Sequence, residues 1–237
     1  MLVIGIETSG VNGSVALMRD DVCLQSASLN QAGRRHAQSL VLELHDLLSN
    51  HGATPRDVTA IAVSRGPGSF TGLRVGVVCA KTFAYATDCQ FVAVDTFVAV
   101  ARNCPIDVGQ VWVVEDAQRG DLFAGRYARE QDNNWIQAEP IAVVAADEWL
   151  AARSVDDVVT GRGLGRCDYS SSPARCLADD TVITPTAASV ADLGRRRLQQ
   201  ATIDSGESDL NFWDAVPFYI RPSAAEEQRE RVGRDPK

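Results

Sequence analysis

The chain reads as an α/β protein built from two halves of similar order. Three observations predict this. Short apolar runs bounded by turn residues recur as strands, longer stretches carry helical periodicity, and the order strands, helix, strand, helix appears on both sides of a Pro, Asp and Gly cluster at residues 104–109. With 237 residues, 45% of them hydrophobic, the chain is long enough to bury a sizeable core.

The first half opens with expected strands at Leu2–Glu7, 14–18 and Val22–Ser28, joined by a Gly/Asn loop at 9–13 and an Asp20-Asp21 turn. A helix is expected over 33–51, because Leu40, Val41, Leu44, Leu47 and Leu48 recur on one face and Gly52 offers a stop. Thr54 before Pro55 reads as a cap, and Ala60–Ser64 as a buried strand. A glycine-rich turn leads into a second long helix over 72–86, followed by a strand at 91–94 and a short helix at 96–102.

The second half begins after residue 104. Strands are expected at 111–115, 122–128 and 135–139, and a helix at 147–153. Residues 158–165 read as a strand running into a glycine loop, and 186–200 as a helix. A surface loop at 202–209 and a last strand at 216–220 follow. The expected organisation is thus an N-terminal lobe at 1–104, a reduced C-terminal lobe at 105–222 and a charged, disordered tail at 223–237.

Composition excludes several function classes. A net charge of -8 and a pI near 4.9 do not suit a protein that grips a nucleic-acid backbone by itself, since phosphate contacts need clustered Lys and Arg. Six cysteines without C-x-x-C spacing give no zinc knuckle or redox motif and suit a reduced, cytoplasmic protein. Neither a signal peptide nor a membrane span is expected at the start, where the apolar run is short and lacks a positive flank.

The run Ser64 to Lys81, S-R-G-P-G-S-F-T-G-L-R-V-G-V-V-C-A-K, sets Gly66, Pro67, Gly68 and Gly72 between a strand and a helix, where backbone can approach another group closely. It is not a dinucleotide fingerprint, because Thr71 stands where the third glycine belongs. It is not a P-loop, because Leu73 follows Gly72, and it lacks the G-x-S-x-G order of a nucleophile elbow. The helix that follows is apolar almost all round, so it must be covered on two sides, by its own sheet and by a second helix or a partner.

The string G-P-G-S-F-T-G-L-R-V-G followed by A-K resembles the signature shared by TsaB proteins and their catalytic paralogue TsaD. I-G-I-E-T-S-G at the start, E-D-A-Q-R-G-D-L-F at 115–123 and P-F-Y-I-R at 217–221 are similar to other parts of the same family, so the resemblance spans most of the chain. It implies the actin-like fold of sugar kinases and heat-shock ATPases, with two lobes of duplicated topology. It further implies a non-catalytic subunit that binds TsaD, which transfers a threonylcarbamoyl group to the adenosine beside the anticodon. TsaE, a small ATPase, is a further implied partner, and tRNA is met through the complex. The implied interface is the pair of long helices, here His36, Leu40, Leu44, Leu73, Arg74, Gly76, Val77, Ala80, Lys81 and Ala84, a surface that also serves homodimers.

In working ATPases of that fold, the first hairpin and a glycine element of the second lobe hold the nucleotide. Here Glu7, Thr8, Ser9 and Gly10 occupy the first stretch, and T-G-R-G-L-G, with Gly161 and Gly163, is the candidate for the second. The paralogue's further glycine and Asn elements are missing, so no cofactor is required, though weak or shared ATP or ADP binding stays open. The paralogue's metal-binding histidine pair is missing too. His36 and His45 are nine residues apart, about 180° around a helix, and Leu40 stands four after His36, so no metal is expected. An independent ATP-dependent phosphotransferase, with Glu7, Asp95 or Asp116 as acid, is the alternative, and a metalloprotease a more distant one. Where relatives read D-A-R, this chain has Gln118 and then Arg119.

Overall fold

The computed structural model describes residues 1–29, 36–131, 134–204, 216–218 and 220, the side chains of 36–38 and 201–204 excepted. It contains two five-stranded mixed sheets. In the first, β1 (Leu2–Glu7), β2 (Ser14–Arg19), β3 (Val22–Ser28), β4 (Ala60–Ser64) and β5 (Gln90–Val94) lie in the order β3-β2-β1-β4-β5. In the second, β6 (Gln110–Gln118), β7 (Asp121–Arg129), β8 (Trp135–Ala145), β9 (Val158–Thr160) and β10 (Arg175–Leu177) lie in the order β10-β9-β6-β7-β8.

Renumbered from its own first strand, the second order repeats the first. In each sheet the first three strands pair antiparallel, and the fourth and fifth add in parallel beside the first. This duplicated α/β topology is the actin-like fold that the family resemblance implies.

Parallel strands covered on both faces should be apolar on both, and β1, β4 and β5 are. Ile4, Ile6, Ile61, Val63 and Phe91 face one core, shared with α1 (His36–Asn50) and α2 (Phe70–Thr87). Val3, Ala60, Ala62, Val92 and Val94 face another, shared with α3 (Thr96–Ala101) and α6 (Ala187–Asp204). The second sheet divides likewise. Val111 and Val113 join the core of α3 and α6, while Val114, Leu122 and Ala124 pack with α4 (Ala146–Ala151).

Several expected bounds shift. Ser69 caps α2 by accepting the Gly72 N–H at 3.3 Å, so the helix begins at Phe70 rather than 72. β8 runs on from 139 to Ala145, and Ala145 rather than Asp147 stands at the cap of α4. The strand expected to run into a glycine loop over 158–165 ends at Thr160, and the loop takes the form of a 3-10 turn, Arg162–Arg166. β10 and the short α5 (Asp180–Ile183) carry too few periodic residues to be read in advance.

Val216 to Phe218 is not a strand. It is a segment without regular structure whose Phe218 N–H donates to the Arg65 carbonyl at 2.7 Å. The expected helix start at 33–35, the loop from 205 to 209 and the tail at 223–237 lie outside the described residues. Among the described residues no helix is long and apolar enough to cross a membrane.

Candidate functional site

Two surfaces deserve the name of site: a cleft between the sheets and a groove between α1 and α2. The cleft has a volume of about 560 Å³, and its walls include Ser9, Gly68, Phe70, Glu115, Arg162 and Phe218. The glycine-rich turn forms one wall. Gly66 sits at φ +120°, a backbone that glycine adopts freely, and a Cβ there would lie 3.1 Å from the Phe218 carbonyl, so the turn and the C-terminal segment pack backbone to backbone.

The residues expected to face a nucleotide are mostly turned away from the cleft. Glu7 and Thr8 are buried, at 1% and 0% exposure. Glu7 Oε1 accepts the Ser9 N–H at 2.5 Å and so folds the loop back on itself. Glu7 Oε2, Thr8 Oγ1 and Ser64 Oγ are buried without a hydrogen-bond partner among the described residues. Gly161 and Gly163 press against the backbone of β6 at Val114 and Glu115, so their lack of a side chain serves sheet packing.

Of the first hairpin, Ser9 and Gly10 do line the cleft, yet the space beside Gly10 is filled by Arg162. Its Nε donates to Glu115 Oε2 at 2.6 Å, and its Nη2 donates to Ser9 Oγ at 3.0 Å and to the Ser9 carbonyl at 3.2 Å. Burial pushes the Glu115 carboxyl above its ordinary range, with Arg162 pulling the other way.

The other candidate acids are engaged as well. Asp116 pairs with Arg166 at 3.2 Å and accepts the Gln118 N–H at 2.7 Å. Asp95 caps α3 through the Phe97 N–H and accepts the Tyr127 hydroxyl at 2.9 Å, and burial raises its pKa despite those donors. Gln118 and Arg119, at φ +67° and +61°, shape the β6–β7 turn.

The groove is of another kind. It has a volume of about 1020 Å³ and a lining dominated by carbon, including Val41, Leu44, Val75, Val78, Cys79 and Phe83. Val41 is 68% exposed and Val78 62%. Burial among these side chains pushes the Cys79 thiol up to about 11.

The expected interface set needs correction here. Leu73, Gly76, Val77, Ala80 and Ala84 are buried, packed beneath α2 toward its own strands. Leu40 and Leu44 are buried too and form part of the groove floor. The side chains of α2 that line this groove are its second stripe, Val75, Val78, Cys79 and Thr82, because an all-round apolar helix has two stripes and sequence alone does not say which one its sheet takes. Arg74 is exposed and lies over the Phe70 ring at 3.8 Å, Lys81 is half-buried, and the side chain of His36 lies outside the described residues. His45 pairs with Asp46, and His51 meets Gln25 at 3.2 Å.

A family model described as "TsaD: tRNA N6-adenosine threonylcarbamoyltransferase" matches residues 26–165, more than half of the chain. The tRNA threonylcarbamoyladenosine biosynthesis protein TsaB of Bacillus subtilis (strain 168) is 28% identical over 228 residues, 95% of this chain and 96% of that one. Its namesake of Escherichia coli (strain K12) is 26% identical over 231 residues, again 95% and 96%. The chain belongs to the TsaB/YeaZ family. A solved structure of YeaZ from Pseudomonas aeruginosa superposes with a TM-score of 0.75 at 26% identity, covering 92% of this chain and 99% of that one. As a TsaB/YeaZ member the chain shares this two-sheet architecture over nearly its whole length.

Proposed function

We propose that this protein is a non-catalytic partner subunit in the biosynthesis of threonylcarbamoyladenosine in tRNA, and that it docks on TsaD through the groove between α1 and α2. The names of its relatives support the pathway. The observation that carries the docking is the exposure of Val41 and Val78 at the rim of a carbon-lined groove of about 1020 Å³, a surface whose burial favours association. Enclosing one valine side chain is worth about 1.5 kcal/mol, so a few such residues supply a useful share of an interface. TsaE is a further partner in this reading, tRNA is met through the complex, and a homodimer uses the same face when TsaD is absent. The place of action is the cytoplasm.

The cleft supports the absence of a reaction of its own. Arg162 fills the position beside Gly10, and Glu115, Asp116 and Asp95 are already paired. The alternative, an independent phosphotransferase, draws on the volume of about 560 Å³ between the sheets. Saturable binding of Mg-ATP by the protein without TsaD would favour that alternative.

The docking is tested with TsaD of the same organism. The wild-type protein should co-purify with TsaD, whereas Val41→Glu and Val78→Glu should weaken the complex by about a hundredfold, since a carboxylate would be buried without a partner. At concentrations low enough to keep the protein monomeric, both variants should unfold at the wild-type temperature, because these side chains are exposed in the single chain. Absence of a wild-type complex, or undiminished binding by both variants, rejects the groove as the interface.

A further inference from the structure

A line of hydrogen bonds joins the second sheet to the first turn of α2. Glu115 on β6 accepts Arg162 Nε at 2.6 Å, and Arg162 Nη2 donates to the Ser9 carbonyl at 3.2 Å and to Ser9 Oγ at 3.0 Å. The same Ser9 carbonyl accepts the N–H of Ser69 at 2.7 Å, and Ser69 is the residue that caps α2. Its hydroxyl accepts the Gly72 N–H, and its carbonyl accepts the Leu73 N–H at 2.9 Å. Arg162 is thus the one side chain in this line that spans from the second sheet to the first.

Its surroundings are built for that reach. The Arg162 and Glu115 side chains are 20% and 13% exposed, so their attraction is poorly screened by water. The guanidinium lies where any β-carbon on residue 10 would stand, so only glycine there leaves it room. Gly68 likewise packs on Ser9, where a Cβ would come within 2.8 Å of the Ser9 Cβ. The loop 9–10 is therefore clamped between Arg162 on one side and the start of α2 on the other.

We propose that Arg162 is a positioning residue: by holding Ser9 against Ser69 it fixes the first turn of α2, and through it the docking groove, from the second sheet. The proposal rests on the docking reading only for its last step. Arg162 lines the cleft while Val75 and Val78 line the groove, and it acts on them through Ser9, Ser69 and the body of the helix. Two sites coupled in this way need a physical connection with measurable response, which the amides of α2 provide.

The test uses the full-length protein and three variants. Arg162→Ala removes the guanidinium, Glu115→Gln removes its anchor, and Gly10→Ala leaves both groups in place but obstructs their approach. Amide hydrogen exchange is followed by NMR in the isolated protein. Exchange at Ser69, Gly72 and Leu73 should quicken by about tenfold in each variant, the effect of losing one charge-assisted hydrogen bond, while amides in β4 and the middle of α6 keep their wild-type rates. Affinity for TsaD should fall by about the same factor in Arg162→Ala and Gly10→Ala.

Unchanged exchange at residues 69–73, or uniform quickening throughout the protein, overturns the proposal. So does faster exchange with undiminished affinity for TsaD, because the groove would then not depend on the clamp. If the wild-type protein fails to bind TsaD, the docking reading falls. The exchange measurement still decides whether Arg162 holds the start of α2.

Discussion

Asp192 on α6 holds three arginines at once. Its Oδ1 accepts Arg195 Nη2 at 2.6 Å, and its Oδ2 accepts Arg196 Nε at 2.9 Å and also the Arg102 guanidinium from the end of α3. Burial opposes ionisation of this carboxyl, yet the hydrogen bonds from Arg195 and Arg196 and the charge of Arg102 outweigh it and hold its pKa below the ordinary 3.8. A carboxylate depressed in the fold stabilises it fully above the ordinary pKa, and the contribution is lost as pH falls through the lower folded value. Asp192→Asn should therefore cost about 2 kcal/mol at pH 7, because three cations lose their shared counter-charge. Urea unfolding at pH 7 and at steps below pH 4 checks this: the gap between wild type and variant should close in acid. A gap independent of pH would mean that Asp192 acts by packing alone. Two of the three pairs are legible in sequence, since Arg195 and Arg196 stand three and four residues after Asp192 on one helical face. Arg102, 90 residues away, is not. The Arg162–Glu115 pair was hidden for the same reason. Each residue belongs to a motif of its own, and only the parallel pairing of β6 with β9 in the second sheet brings them together.

Among the elements, α2 shows how far periodicity reaches. Its all-round apolar surface predicts two covered sides, and both stripes exist: Leu73, Val77, Ala80 and Ala84 toward the sheet, and Val75, Val78 and Cys79 toward the groove. Which stripe takes the sheet depends on the entry of the helix, and that is set by contacts distant in sequence. Gly72 and Gly76 lie close to the β1 end, yet they meet different obstacles. A Cβ at Gly72 would overlap the Thr8 carbonyl, part of a backbone held by its neighbours, whereas a Cβ at Gly76 would overlap the Thr8 hydroxyl, a side-chain atom with no hydrogen-bond partner among the described residues. Alanine also gains about 1 kcal/mol over glycine in a helix interior. Gly72→Ala should consequently destabilise by about 3 kcal/mol, and Gly76→Ala by about 1 kcal/mol or less, in denaturant unfolding. Equal costs would show that the β1 end yields as readily as a side chain does. Strand bounds were legible where a short apolar run ends at turn or polar residues, as in β1 and β4. The end of β9 and the whole of β10 were not legible: each strand is three residues long, β9 pairing with β6 and β10 with β9.

At the scale of the whole molecule the two halves share a topology, and the first half is completed by the last long helix. α6 lies across β1, β2 and β4 on the face opposite α1 and α2: Ala191 approaches Gly5, and Gly194 approaches Ala62 and Val92. Ala187, Val190 and Ala191 are fully buried there, with Leu193 and Leu198 at 5% and 7% exposure. Burying Val190 and the two leucines is worth about 5 kcal/mol, comparable with the entire stability of a small domain. Residues 1–104 alone would therefore leave the Val3, Ala62 and Val92 face of a parallel sheet open to water, which such sheets do not tolerate. The isolated fragment 1–104 should show no cooperative thermal transition. The same fragment joined through a flexible linker to Ala187–Asp204 should recover one, because the linker only replaces the second sheet as the route by which α6 returns. Cooperative unfolding of 1–104 alone would instead mean that α1, α2 and their core suffice, and that α6 serves chiefly to tether the two sheets to each other.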